Sequence, residues 1–230
     1  ERHRRLPEEE RAYILAERGA PAAKAAKLSF ADALKHPAVL GFFLARLLTD
    51  SLSFFFSFWL PEYLQSARGF SLAMIGLFGW IPFLAAGGGG PGGGALSDWL
   101  VRRGWPAAAA RRRLMLIAAC LMPCSIVAVH VRSPYLALGL IAVLLAAQSF
   151  WMSNSLTLNS ESVPREHLGP YVSLASIGGS LGGILSTLAA GRVIQAVGYV
   201  PVFTTLGFLH FSAYGIIRHF SRRAERLTAA

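Results

Sequence analysis

Six runs of apolar residues, each close to the length that crosses a bilayer, recur along this chain: Pro37 to Leu64, Leu72 to Leu96, Leu114 to Val131, Pro134 to Leu158, Tyr171 to Val193 and Val202 to Ile217. A helix of about 20 apolar residues spans a hydrocarbon core about 30 Å thick, so the pattern predicts an all-α membrane protein with six transmembrane helices. The third and sixth runs are the shortest. Composition agrees, because 54% of the 230 residues are hydrophobic and only 15% are charged, a balance foreign to soluble domains of this size. Residues 1–36 read as a solvated segment with two short helices. One is Leu6 to Arg18, entered after Pro7, and the other is Phe30 to Lys35, capped by Ser29. Residues 37–219 form the bundle and 220–230 a polar tail.

The formal net charge of +10 would suit a nucleic-acid partner, but its distribution argues for topology instead. Lys and Arg gather in residues 1–36, in Arg102, Arg103 and Arg111 to Arg113, in Arg165, and from Arg218 onward, which are alternate loops of a six-span chain. The intervening loops hold only Arg68, Arg132 and Arg192. The positive-inside rule therefore predicts that both termini lie in the cytoplasm. The first residues are charged and lack an apolar core, so no signal peptide is expected, and a start without Met points to the trailing part of a longer polypeptide.

Arg46 and Asp50 are the exception to this segregation, since both stand inside the first run. A charge at bilayer depth costs about 2.5–3.5 kcal/mol on insertion scales, so it persists where it meets protein, water or ligand. Their spacing of four places them on one helix face. Two readings follow: a polar pathway through the membrane, or a neutralised structural ion pair with Arg46 reaching toward a helix end.

Other polar residues cluster at the end of the fourth run, where Gln148, Ser153, Asn154, Thr157 and Glu161 lie close together. Serines and threonines bond their own helix backbone at little cost, whereas a buried amide such as Asn154 needs partners from elsewhere. The fifth run adds Ser173, Ser176, Ser180 and Ser186. Glycines mark two runs, Gly87 to Gly94 around Pro91, and Gly178, Gly179, Gly182 and Gly183. No Lys-Ser/Thr follows the first cluster, which excludes a phosphate-binding loop. Small residues at such spacing predict close helix packing, and Pro91 a bend. Cys120 and Cys124 lack the further ligands a metal or redox centre needs, and no cofactor is expected. A membrane-embedded enzyme would require a nucleophile with its base at depth. Of the six histidines only His210 lies well within a run, and contact with a neighbouring helix accounts for it.

The segment GGALSDWLVRRG, Gly93 to Gly104, resembles the loop signature of the major facilitator superfamily. In that signature Gly94, Asp98, Arg102 and Arg103 occupy a short cytoplasmic turn and serve as a conformational gate. In more detail the chain resembles the anion:cation symporter family and its hexuronate and sugar-acid transporters. ARLLTDSLSFFFSFWLPEYLQSARGFSL is similar to their seventh span, and GWIPFLAAGGGGPGGGALSDWLVRRGW and SNSLTLNSESVPREHLG to their eighth and tenth. The resemblance covers nearly the whole chain but only the C-terminal half of such a transporter, with residues 1–36 as the end of the central cytoplasmic loop. It implies proton-coupled uptake of an organic anion across the inner membrane of a bacterium, with the N-terminal six-helix half as partner and the substrate between the halves. Arg46 would then attract the substrate carboxylate and Asp50 balance it in the empty site. Ser153, Asn154, Thr157 and Ser176 would meet substrate hydroxyls, and Phe54 and Trp59 would form cavity walls. Departures from the family pattern are Glu161 for a frequent Asp, Ser51 for a frequent Pro, and serines at 176 and 180 where some relatives have Asn. Other carboxylates, aromatic or short dicarboxylic, and a truncated subunit without transport of its own, are the alternatives.

Overall fold

A computed structural model describes residues 7–8, 34–162 and 168–228. The short helices expected within residues 1–36 fall almost wholly outside these residues, as do Arg165 and the last two residues of the tail. Among the described residues the fold is helical, with six segments long and apolar enough to cross a membrane: Pro37–Ala67, Leu72–Arg102, Ala107–His130, Pro134–Glu161, Leu168–Val197 and Val200–Ser221.

The first span is helix α1, Pro37–Glu62, which continues through a single wide turn at Tyr63–Ala67. The second is broken into α2, Leu72–Phe78, and α3, Ile81–Arg102. Ser71 caps α2 by accepting from the Met74 N–H at 3.2 Å. The expected bend at Pro91 does not interrupt α3, and the break falls instead at Gly79 and Trp80. The third span is likewise double, α4 over Ala107–Leu121 and α5 over Cys124–His130, parted at Met122 and Pro123, where proline removes a helix donor. Helices α6, Pro134–Glu161, α7, Leu168–Val197, and α8, Val200–Thr228, complete the bundle. Gly198, at φ 83°, supplies the left-handed residue that lets α7 turn into α8 across two residues.

Helices α3 and α4 begin or end well beyond the apolar runs, because charged residues at a bundle end extend a helix as readily as apolar ones. Arg111 to Arg113 lie in the second turn of α4, and Asp98 and Arg102 in the closing turns of α3. The Asp98 segment, expected as a turn, is therefore helical until Gly104, at φ 90°, follows the cap residue Arg103.

Helix α1 packs chiefly on α7 and α8, and α6 on α3 and α4. An aromatic cluster joins α1 to α8, with Phe203 set edge-on to Phe55 at 5.7 Å and Phe56 at 5.6 Å. Contacts define two ends. At one, His36 stacks on Tyr171 at 5.7 Å, Phe220 covers Gly41, and the starts of α1, α4 and α7 meet the ends of α6 and α8. At the other, Arg68 donates from Nε to the Tyr63 hydroxyl at 2.6 Å, from Nη1 to the Val131 carbonyl at 2.7 Å and from Nη2 to the Ala128 carbonyl. A cation there meets the partly negative C-terminus of α5, so this charge of the sparsely basic end is a clamp on the loop after α1.

Candidate functional site

The seam between α1 and α7 is closed by glycine. A side chain at Gly178 would strike the Phe43 carbonyl, one at Gly182 the Leu47 backbone, and one at Gly183 the ring of Phe54. Between lipid-exposed helices packing and polar contacts replace the hydrophobic effect, and small residues let two backbones meet. Gly179 leaves room for Asp50 itself, because a Cβ there would lie 2.8 Å from the Asp50 carboxyl carbon and 3.3 Å from Arg46 Nε.

In that gap the guanidinium of Arg46 closes side-on over one carboxylate oxygen. Nε donates to Asp50 Oδ2 at 3.1 Å and Nη2 to the same oxygen at 2.6 Å. Nη1 donates to the Ser176 hydroxyl at 3.1 Å, and that hydroxyl in turn donates to the Val172 carbonyl at 3.0 Å. Three bonds use three of the five N–H groups a guanidinium owns, which leaves donors on its terminal nitrogens. The Arg46 side chain is 18% exposed while that of Asp50 is 6% exposed, so the cation is the member of the pair that reaches open space. Asp50 Oδ1 is buried with no partner among the described residues.

The remaining residues expected at a substrate site divide. Phe54 and Trp59 lie on the α7 side of α1, Phe54 against Gly183 and Trp59 against Gly191. Both are half-buried, in line with Arg46 along the seam. Ser153 and Thr157, also half-buried, are on α6, and Thr157 bonds the Ser153 carbonyl at 2.9 Å. Asn154 is placed differently: only 1% exposed, it sits between α6 and α3, donates to the Phe150 carbonyl at 3.0 Å and packs on Gly93. Its amide fills an inter-helix seam. Gly94 faces Ser153, whose Oγ would be 3.5 Å from an added Cβ. Asp98, Arg102 and Arg103 are exposed at the bundle end, with the Arg103 guanidinium 4.0 Å above the Trp99 ring.

Two polar assemblies join residues that sequence spacing does not connect. Gln148 of α6 donates to the Thr49 carbonyl of α1 at 3.1 Å, and its Oε1 meets His210 Nε2 of α8. An amide oxygen only accepts, so His210 donates from Nε2, and Trp151 lies edge-on to its ring at 5.1 Å. The chain ends on the residue next to Asp50 and ties three helices behind the Arg46 pair. At the bundle end, buried Arg111 donates from Nη2 to Glu161 Oε1 at 2.9 Å, pairing α4 with the end of α6. Polar residues isolated in apolar runs were the available signal, but partners 62, 99 or 50 positions away were not.

His210→Leu is expected to leave Gln148 Oε1 unpaired and to lower stability by about 1–3 kcal/mol. The double variant His210→Leu with Gln148→Leu should recover most of that loss. Thermal melting of the single and double variants in one detergent measures it, and equal losses in both would contradict the coupling.

Residues 3–187 match the family model of the Major Facilitator Superfamily. The hexuronate transporter of Escherichia coli (strain K12) is 27% identical over 204 residues, which cover 87% of this chain and 47% of the relative. The probable galactarate/D-glucarate transporter GudP of the same strain is 25% identical over 180 residues, covering 75% and 40%. The protein of that name from Bacillus subtilis (strain 168) is 27% identical over 161 residues, covering 70% and 35%. The chain thus spans less than half the length of these curated relatives. With its family model matched over most of its length and six membrane-capable helices, this multi-pass membrane protein belongs to the Major Facilitator Superfamily, a family of transporters and not of enzymes.

Proposed function

We propose that the chain is the C-terminal half of a transporter that moves an organic anion, a hexuronate or related sugar acid, by proton symport with alternating access. The observation that carries this reading is the Arg46 guanidinium, held by Asp50 and Ser176 inside a membrane span with N–H donors to spare. A planar cation with free donors suits a carboxylate, and its position on an inter-helix seam lets it respond when helices shift. Asp50 neutralises Arg46 in the empty state. Arriving carboxylate takes up the spare donors, and Ser153, Thr157 and Ser176 offer hydroxyls to a polyhydroxylated substrate. Phe54 and Trp59 wall the same side. Asn154 acts through the α3–α6 seam, where Gly94 and Ser153 also meet, so the gate motif of Gly94, Asp98, Arg102 and Arg103 is coupled to the substrate wall by packing.

The other half of the cavity comes from an N-terminal six-helix half. Only 6% of the apolar window of Leu72–Arg102 is buried inside the chain, which leaves a broad face for lipid and for that partner. Names of the relatives, which concern hexuronate, galactarate and D-glucarate, support a sugar acid. The basic end of the bundle supports a cytoplasmic location for both termini in a bacterial inner membrane.

Uptake of labelled galacturonate into proteoliposomes tests this, with the polypeptide completed by its upstream six spans and with the 230-residue chain alone. Saturable uptake that is competed by glucarate, stimulated by an inward proton gradient and absent from the chain alone is the expected result. Failure of every carboxylate to compete would refute the anion reading, and full-rate uptake by the chain alone would refute the need for a partner half.

A further inference from the structure

Helices α7 and α8 each pack along α1 yet touch one another little, although only Gly198 and Tyr199 separate them in the chain. Between them lies a cleft of about 410 Å³ with α1 as its floor. Gly182, Ala189 and Ala190 recess its α7 wall, Val202 and Leu206 belong to its α8 wall, and Phe55 lies beneath. Leu185, 60% exposed, stands at its mouth.

Among the described residues no charged side chain lines the cleft, and its three hydroxyls are already engaged. Ser51 shares its proton between the Leu47 carbonyl at 3.2 Å and the Gly182 carbonyl at 3.3 Å. Ser186 donates to the Gly183 carbonyl at 3.1 Å and Thr205 to the Pro201 carbonyl at 2.9 Å. A buried water needs about two to four polar partners, and this lining has no donor left to offer. A sugar acid would gain nothing here either, so occupancy of the cleft does not depend on what the transporter carries. A crossing helix is excluded by size, because a single turn, about 10 Å across and 5.4 Å long, already occupies about 420 Å³.

Depth identifies what remains. Gly182 stands midway along α7 and Leu209 midway along the last span, Val200–Ser221, and from there the cleft runs toward Val193 and Pro201 beside the α7–α8 turn. Gly182 to Val193 cover about 16 Å of helix axis, close to half of a hydrocarbon core about 30 Å thick. The cleft therefore has the depth of one leaflet and the lining of a hydrocarbon site.

We infer that it binds one acyl chain of a phospholipid from the leaflet at the α7–α8 turn, the chain lying between the two helices with its tip near Leu47 and Leu48. An empty cleft would forfeit the dispersion contacts of its lining, and the chain restores them. Leu47 and Gly182 also form the backbone contact that closes the α1–α7 seam, so the chain braces the gap that holds Arg46 and Asp50.

Photolabelling of the 230-residue chain in phosphatidylcholine vesicles tests the site, with a trace of phosphatidylcholine that carries a diazirine midway along one acyl chain. Peptide mapping is expected to find Ser186, Ala189 and Leu206 labelled about threefold more than Ile117 and Leu121, exposed aliphatic residues of α4, since three walls instead of one face the reactive carbon. A189F/T205F, at two exposed positions of the mouth, should fill the cleft and lower its labelling by about fivefold while leaving Ile117 and Leu121 unchanged. S186L, a single change at a half-buried position, should lower it about twofold and serves if the double variant fails to insert. Cleft labelling no greater than that of Ile117 and Leu121, or unchanged in the folded variants, would overturn the proposal. Loss of labelling on adding a small amount of free palmitate would assign the cleft to a fatty acid and overturn it too. Loss in the proposed two-half transporter, with retention in the chain alone, would assign the cleft to the N-terminal half and likewise overturn it.

Discussion

Arg46→Ala is expected to be the most damaging single change in the bundle, lowering stability by about 3 kcal/mol or more and abolishing uptake by the completed transporter. The reason lies with the partner left behind. Asp50 Oδ2 accepts from both Arg46 Nε and Nη2, and its Oδ1 has no partner among the described residues, so truncation strands a carboxylate at bilayer depth. Water reaches it poorly, since the Asp50 side chain is 6% exposed and Gly179 closes over it. The double variant Arg46→Ala with Asp50→Asn removes the stranded charge and should recover most of the stability. Two measurements then separate the two readings of the pair. Melting in detergent reports the ion pair as a structural element, and uptake reports it as a carboxylate receptor. Recovery of both in the double variant would reduce Arg46 to a structural role. Recovery of stability alone is the outcome expected here. Arg46→Lys sharpens the test, because an ammonium preserves the charge but cannot close side-on over Asp50 while donating to Ser176 at the same time. That variant should fold near normally and transport poorly.

The six-helix architecture was legible because bilayer crossing imposes a length and an apolarity that composition reveals directly. The Arg46–Asp50 bond was legible too, since a spacing of four fixes both residues on one face, and the structure adds Ser176 as the third member. What could not be read is whatever depends on which faces meet. The apolar pattern is nearly continuous around α6, so it gives no cue that Gln148 turns to Thr49 and His210 or that Asn154 turns into the α3 seam. Asn154 illustrates the ambiguity: a buried amide signals an interaction, and the partner turns out to be its own helix backbone beside a glycine. Helix ends were hidden for a related reason. Arg111 stands ahead of the third apolar run, which starts at Leu114, yet it is paired with Glu161 and α4 begins before it, at Ala107.

Glycine supplies the second large effect, and its two clusters are not equivalent throughout. Gly182→Leu is expected to prevent α1 and α7 from closing, with a cost of about 3 kcal/mol or more, because the first added carbon overlaps the Leu47 backbone. A clash with main chain cannot be relieved by a rotamer change, so the helices must separate. Separation opens the gap that holds Arg46, Asp50 and Ser176, and loss of folded protein should accompany loss of uptake. Gly89, which faces the Ala146 backbone across the α3–α6 seam, should behave in the same way when changed to Leu. Gly87, Gly88 and Gly92 are different, since nothing lies within 4 Å of a Cβ at any of them. Gly88→Ala should be neutral or should stabilise the isolated chain by up to about 1 kcal/mol through helix propensity. The contrast is measurable as the fraction of monodisperse protein recovered from membranes and as the melting temperature of what is recovered. If Gly182→Leu and Gly88→Ala were equally tolerated, the tight α1–α7 approach would be wrong. If Gly88→Ala is harmless to the chain but slows the proposed two-half transporter, the open face of α3 is where the proposed N-terminal half docks, and glycine there serves the moving interface rather than the fold.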